Sequence, residues 1–223
     1  MSCKEDYKTE MILTFDKVNS LEIGLSGSSG NAKIDWGNGT SIKSDDLWSL
    51  PIYFKNKYSD KESHTITING SKINTIKGIF CFDNQITSLN VNNISKLKTL
   101  DVLKNRIKNI NVSNNPELSE LNCTWNQLKN LDVSKNTLLE NLSCENNQLK
   151  SLDVSNNKKL MSVFLRSNQL NDKQLNLFFE TLHNNKIFKK TIFIGGNPGT
   201  DKCDISIATK KGWIVDSKSI EFE

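Results

Sequence analysis

The 223-residue sequence predicts an α/β solenoid, a right-handed horseshoe of 21-residue coils with short parallel strands on its concave face. Three observations support this prediction: a motif repeated at constant spacing, strand-like segments before it, and a helical pattern after it. We therefore expect four parts. They are an N-terminal segment (1–6), a small all-β domain (7–71), five repeats (72–170) and a helix-containing C-terminal cap (171–223).

The repeat consists of two leucine-like residues three positions apart, followed by an apolar residue, an asparagine and a last apolar residue. Its copies are Ile76–Ile79–Cys81–Asn84–Ile86, Leu97–Leu100–Val102–Asn105–Ile107, Leu118–Leu121–Cys123–Asn126–Leu128, Leu139–Leu142–Cys144–Asn147–Leu149 and Leu160–Val163–Leu165–Asn168–Leu170. Their first residues are always 21 positions apart (97 − 76, 118 − 97, 139 − 118, 160 − 139). This is the consensus of leucine-rich repeats, at a length inside their usual range.

Each copy begins with a predicted strand, in which alternation sends Leu121 and Cys123 inward and Glu120 and Thr124 outward. The asparagine that follows turns the chain, and its amide can satisfy backbone groups at the corner. A coil of 21 residues leaves no room for a full helix on the convex side. We therefore expect an extended or 3₁₀ return.

The region before the repeats has short apolar or alternating runs separated by turn residues, a pattern typical of a small β-sandwich. The runs are Met11–Phe15, Leu21–Leu25, Ala32–Trp36, Ile52–Phe54 and His64–Ile68. The stretch Ile34–Thr40 resembles a hairpin of the immunoglobulin-like modules of bacterial surface proteins. Asn38 stands where that hairpin carries an aspartate, so we do not expect a calcium site there.

The cap begins with a predicted amphipathic helix, for which Asn171 or Asp172 can serve as N-cap. The apolar stripe of this helix is Leu175, Phe178, Phe179 and Leu182. Residues 192–197 then reproduce the strand and asparagine of a sixth copy, 29 positions after Asn168 (197 − 168). A short closing helix over 201–211 and a strand over 213–215 complete the predicted cap.

Composition argues against several functions. The net charge is +4 and the lysines are spread over predicted turns, so we expect neither a nucleic-acid surface nor a basic membrane face. No apolar stretch reaches transmembrane length. No nucleotide-binding loop, nucleophile elbow or catalytic carboxylate pair occurs, so we do not expect an enzyme. An active site would need a cleft in the N-terminal domain, which has only about 65 residues.

The cysteines do not predict a disulfide framework or a metal site. Cys81, Cys123 and Cys144 occupy one inward repeat position, where the other copies carry Val102 and Leu165, which indicates small buried hydrophobes. The sequence has no Cys-x-x-Cys pair, and its two histidines are far apart. We expect no metal and no cofactor.

The repeats with Leu-Asp-Val-Ser-x-Asn (131–136 and 152–157) resemble those of leucine-rich-repeat surface proteins of gut Bacteroidetes. The segment 195–204 with the following Gly212-Trp213 is similar to the C-terminal cap of those proteins, and internalins are more distant in repeat style. The resemblance covers roughly residues 76–216. It implies an exported or surface-attached module of a commensal bacterium.

The start of the chain, Met1–Asp6, resembles the mature end of a bacterial lipoprotein, in which Cys3 would carry the lipid. That anchor would be the only membrane contact and would place the protein on the outer membrane. The alternative is a cytosolic protein with a cysteine at position 3.

Function is expected in the outward strand positions, because the inward ones are required by the core. Exposed aromatic side chains there usually mark contacts. The expected ligand-binding residues are Phe80, Phe82, Leu103, Trp125, Phe164 and Arg166. For Phe80 and Phe82, burial beneath the N-terminal domain is the alternative.

We expect a monomer that binds a protein through the concave face, with a glycan as the second choice of ligand. The alternative function is a structural spacer or accessory subunit of an envelope complex.

Overall fold

The computed structural model describes residues 11–27, 32–44, 47, 49–60, 62–70, 75–186 and 189–219. Cys3 and the segment 1–6 lie outside the described residues, as does the boundary expected between residues 71 and 72. Within the described part, neither helix has the length or the apolar run needed to cross a membrane.

The five copies form a parallel sheet with one strand from each. These strands are β7 (Ile76–Phe80), β9 (Thr99–Asp101), β10 (Glu120–Asn122), β11 (Asn141–Ser143) and β12 (Ser162–Phe164). Residues 21 positions apart are direct neighbours, as Leu121 is of Leu100 and Leu142. The inward leucines are buried, which confirms the repeat solenoid.

The N-terminal region shares its sheets with the first repeat. Its strands are β1 (Met11–Phe15), β2 (Ser20–Gly27), β3 (Ala32–Asp35), β4 (Ser41–Ser44), β5 (Ile52–Lys57) and β6 (His64–Asn69). Strand β2 pairs with β7 and β5 pairs with β2, so both lengthen the repeat sheet. The others form a five-stranded sheet in the order β4-β3-β6-β1-β8, in which β8 (Ile86–Asn90) comes from the return half of the first repeat.

A ladder of buried asparagines holds successive coils together. Its members are Asn84, Asn105, Asn126, Asn147, Asn168 and Asn197. Asn126 Nδ2 donates to the Val102 carbonyl of the preceding coil at 2.9 Å, and its Oδ1 accepts the N–H of Ile107 at 3.0 Å. Asn126 Nδ2 also donates to Cys123 O of its own coil at 3.1 Å, so its side chain satisfies corner groups of two coils, as the sequence predicts.

The first rung of this ladder binds the N-terminal region. Asn84 Oδ1 accepts the N–H of Glu22 at 3.1 Å, and Asn84 Nδ2 donates to the Glu22 carbonyl at 2.8 Å. Strand β2 therefore takes the place of a preceding coil, which explains why it continues the repeat sheet.

A second asparagine ladder, which the sequence analysis did not predict, stabilises the return halves. Asn115, Asn136 and Asn157 end the Val-Ser-x-Asn segments and are fully buried. Asn136 Nδ2 donates to Val112 O and Asn115 O, both at 2.9 Å. The return halves bend through i→i+3 bonds, such as Asn136 N–H to Val133 O at 3.0 Å, and contain no helix. This confirms the expected extended or 3₁₀-like return.

The cap contains the predicted helix α1 (Asp172–Thr181), which buries Leu175, Phe178 and Phe179. Asn171 is its N-cap, because its Oδ1 accepts the N–H of Gln174 at 3.0 Å. Strands β13 (Lys190–Phe193) and β14 (Trp213–Asp216) then extend the repeat sheet. Helix α2 covers only Ser206–Thr209 because Asp204 accepts the Ser206 N–H and the residues before it form turns. The complete sheet has the order β14-β13-β12-β11-β10-β9-β7-β2-β5.

The repeat cysteines are buried hydrophobes, as expected. Cys81, Cys123 and Cys144 are at most 1% exposed. Burial raises the pKa of the Cys123 thiol to about 12, and it also raises the pKa of Cys81 and Cys144. Such thiols are protonated at neutral pH and unreactive.

A buried histidine links the cap to the last repeats. His183 is 5% exposed; its Nε2 donates to Leu160 O at 2.8 Å and its Nδ1 accepts the N–H of Asn185 at 3.2 Å. These two partners assign the neutral Nε2–H tautomer. The neighbouring Lys190 is 2% exposed, and its ammonium donates to the carbonyls of Asn185 (2.9 Å) and Lys211 (2.6 Å).

Acid is therefore expected to destabilise the cap through His183. Burial lowers the pKa of His183 below its ordinary value of 6.5, and the cations Lys190 and Lys158 lower it further, against the opposing bond to Leu160 O. The unfolded chain protonates His183 more readily than the folded chain does. The stabilisation by neutral His183 is therefore complete above about pH 6.5 and is lost as the pH falls toward the pKa of the folded state. Urea denaturation at about pH 7.5 and pH 5 should show a larger loss of stability for the wild type than for His183→Gln. Equal losses would show that His183 does not carry the effect.

Candidate functional site

We call the solvent-facing side of the nine-stranded sheet the concave face. One row of outward side chains crosses all nine strands of this face. From β5 to β14 the row is Tyr53, Gly24, Phe80, Asp101, Asn122, Ser143, Phe164, Phe193 and Asp216. Aromatic residues lie toward both ends of the row, next to Asp216 at the β14 end, and its middle is polar.

The N-terminal patch consists of Tyr53, Phe80 and Phe82. Tyr53 is 48% exposed, Phe82 is 47% exposed and Phe80 is half-buried. Two glycines form the floor of the patch: a Cβ on Gly24 would lie 2.7 Å from Tyr53 Cε1, and one on Gly78 would lie 2.8 Å from Phe80 Cε2. The N-terminal region therefore leaves Phe82 open to solvent and adds Tyr53 to the same surface.

The C-terminal patch consists of Phe164, Phe193 and Ile214. The two phenylalanine rings are stacked, with centroids 4.5 Å apart and planes inclined by 9°. Ile214 on the edge strand is 53% exposed. These side chains, with Met161 and Thr191, line an open depression of about 640 Å³.

Arg166 supports the C-terminal patch from one side. Its guanidinium lies 3.3 Å from Glu145 and 3.4 Å from Asp216, and its Cζ is 4.4 Å from the centre of the Phe193 ring. Its Nε also donates to Lys218 O at 3.1 Å, and the side chain is only 12% exposed. These partners use much of the donor capacity of Arg166, which favours a role in positioning Phe193 over direct ligand contact.

Trp125 lies between the two patches, just beyond the carboxyl end of β10. It is 45% exposed and has a φ of 56°, a left-handed conformation that is uncommon for a bulky side chain. The equivalent residues of other coils share this conformation: Asp83, Lys104, Asn146, Ser167 and Gly196. The strand end imposes the turn, and Trp125 places an indole on it at a cost of about 1–3 kcal/mol.

The six residues predicted from the sequence do not form one cluster. Phe80 and Phe82 lie in the N-terminal patch, whereas Phe164 and Arg166 lie at the C-terminal end. Leu103, which is half-buried, lies with Trp125 between them. Among the described residues, no group of three or more His, Cys, Asp or Glu side chains could hold a metal ion.

Three residues of the patches, Tyr53, Phe193 and Ile214, were not predicted from the sequence. The alternation of inward and outward residues along a strand could have identified the first two. Tyr53 lies between Ile52 and Phe54, so alternation directs it outward once β5 is placed on the repeat sheet. Phe193 is the outward residue of the sixth copy and follows Phe164 by 29 positions (193 − 164), not 21. The position of Ile214 depends on the pairing of β14, which no repeat spacing predicts.

Comparison with solved structures finds 42 matching chains. An internalin (inlF) from Listeria monocytogenes is 26% identical, with a TM-score of 0.50, and the match covers 63% of this chain and 40% of the internalin chain. The fold is an internalin-like leucine-rich-repeat solenoid.

A second match is the functional domain of InlJ from Listeria monocytogenes, described as including a cysteine ladder. It is 21% identical with a TM-score of 0.39, and the match covers 65% of this chain and 49% of the InlJ chain. The match therefore spans less than half of either solved chain. Neither a scan of family models nor a search of curated proteins finds a match. The resemblance to Bacteroidetes surface proteins stays a prediction.

Proposed function

We propose that the protein is a non-enzymatic binding module, exposed on a bacterial surface or secreted, whose concave face engages a protein ligand. The observation that carries the proposal is the exposure of aromatic and aliphatic side chains on a sheet that no described part of the chain covers. Tyr53, Phe82, Trp125 and Ile214 are each between 45% and 53% exposed. Clustered exposed side chains of this kind mark interaction sites in folded proteins.

The likeness to an internalin supports the same proposal at the level of fold. A solenoid sheet displays many side chains on a rigid frame, which suits recognition of another protein. The polar row between the patches is consistent with a folded partner, whose own surface is mixed.

Affinity purification with variants of the full chain tests this function. The immobilised wild type, Phe82→Ala, Trp125→Ala and Leu177→Ala would each be incubated with extracts of host-cell surface proteins, and recovered proteins would be quantified by mass spectrometry. Leu177 is the matched control, because it is 65% exposed but lies on helix α1, outside the concave face. Loss of an aromatic contact typically costs about 1–3 kcal/mol, or roughly 5- to 150-fold in affinity.

We expect at least one protein that the wild type and Leu177→Ala recover equally and that both aromatic variants lose. Equal recovery of every protein by all four chains would contradict binding through this face and would favour the structural-spacer alternative.

A further inference from the structure

We infer that the concave face recognises an amphipathic helix that carries a lysine or arginine between two apolar anchors. This inference rests on the proposed function and names the chemistry of the partner. Two features of the face support it: the spacing of the two aromatic patches and the negative charge between them.

The two patches are set apart by a fixed number of strands. From β7, which carries Phe80, to β12, which carries Phe164, the sheet order contains four steps. Neighbouring strands are about 4.8 Å apart, so the patches are separated by roughly 19 Å along the sheet. A ligand that contacts both patches must therefore present two apolar groups at about this distance.

The strip between the patches carries negative charge that is not neutralised locally. Asp101 and Glu120 lie on the neighbouring strands β9 and β10, and both point to the concave face. Neither carboxylate forms an ion pair with any side chain in the described part of the protein.

Two cations of this face, Lys104 and Arg166, pair with carboxylates other than those of the strip. Lys104 Nζ lies 3.5 Å from Asp83, and Arg166 lies between Glu145 and Asp216. The Asp101 carboxylate accepts only the N–H of Leu103, at 3.0 Å, in the described structure, and Glu120 is exposed. A cation from the ligand would therefore complement the strip, and a ligand acid would be repelled.

A helix satisfies this arrangement better than an extended segment. The concave face offers side chains, because the backbone groups of its central strands are already paired within the sheet. An extended ligand lying on the face would leave its own backbone groups without protein partners, whereas a helix satisfies them internally. At about 1.5 Å per residue, helix positions i and i+11 or i+14 are about 17–21 Å apart on one face, and i+7 lies between them.

A displayed library of helical 20-residue peptides, selected on the immobilised full chain, tests the inference directly. We expect enriched peptides to carry apolar residues near both ends and Lys or Arg near the centre of the same face. Binding of these peptides should fall about tenfold or more for Asp101→Asn/Glu120→Gln and weaken as salt is added. Glu117→Gln is the matched control, since Glu117 pairs with Lys96 at 2.5 Å and is not part of the strip.

Tyr53→Ser and Phe193→Ser complete the design, and circular dichroism confirms that each variant is folded. Peptides that depend on Tyr53 and Phe193 but not on Asp101 and Glu120 would overturn the inference and leave the proposed function intact. Peptides whose binding is unchanged by substitution of any of these four residues would contradict both the inference and the proposed function. Enrichment of neutral or acidic peptides, or no enrichment, would also overturn the inference.

Discussion

Replacement of Asn126 by alanine is expected to lower the free energy of unfolding by about 3–5 kcal/mol, because several buried backbone groups lose their partner together. Asn126 Nδ2 donates to the carbonyls of Val102 (2.9 Å) and Cys123 (3.1 Å), and Oδ1 accepts the Ile107 N–H at 3.0 Å. Alanine leaves these groups in a corner where Asn126 itself is only 8% exposed. Urea denaturation followed by circular dichroism measures the loss.

Asn130→Ala is the matched control for this substitution. Asn130 lies on the same coil, but its side chain is exposed, so we expect a change within about 0.5 kcal/mol. If the two variants unfold at the same urea concentration, the asparagine ladder is not what stabilises the corners.

The second large effect is expected for Leu142→Ala, at roughly 2–5 kcal/mol, because it removes three carbons from a closely packed core. Leu142 is fully buried and lies between Leu121 and Val163 in the sheet. Since the coils of a solenoid are stabilised by their neighbours, strands β10 and β12 should also lose protection from hydrogen exchange.

Ser143→Ala is the control, because Ser143 is the next residue and points to the concave face. A Leu142→Ala protein with the melting temperature of this control would contradict the inward assignment. Loss of protection confined to β11 would contradict the coupling between coils.

The repeat made most of the core predictable. A constant 21-residue spacing determines which residues face inward, so Leu142 and Cys123 could be assigned without a structure. Helix α1 was predictable for a similar reason: its apolar residues follow the helical period and Asn171 precedes them as N-cap.

Contacts between segments distant in sequence were not predictable. Strand β2 joins the repeat sheet because Asn84 binds the backbone of Glu22, 62 positions earlier, and no local pattern encodes that pairing. The candidate site depends on such contacts too. The sequence predicted Arg166 as an outward-facing cation. Its ion pair with Asp216, 50 positions later (216 − 166), could not be predicted. Tyr53 could be assigned to the patch only after β5 was placed beside β2.

Site-specific photo-crosslinking across the two sides of the solenoid tests whether the concave face binds a protein. A photoreactive amino acid would replace Ser143, at the centre of the concave face, or Leu138, which is 37% exposed outside the strands of the sheet. Each variant of the 223-residue chain would be irradiated in the same extract of host-cell surface proteins, and crosslinked partners would be identified by mass spectrometry. We expect a protein that crosslinks from position 143 but not from position 138, and that no longer crosslinks when Phe82→Ala and Phe193→Ser are added. The same protein crosslinked equally from both positions, or none from position 143, would contradict binding through the concave face.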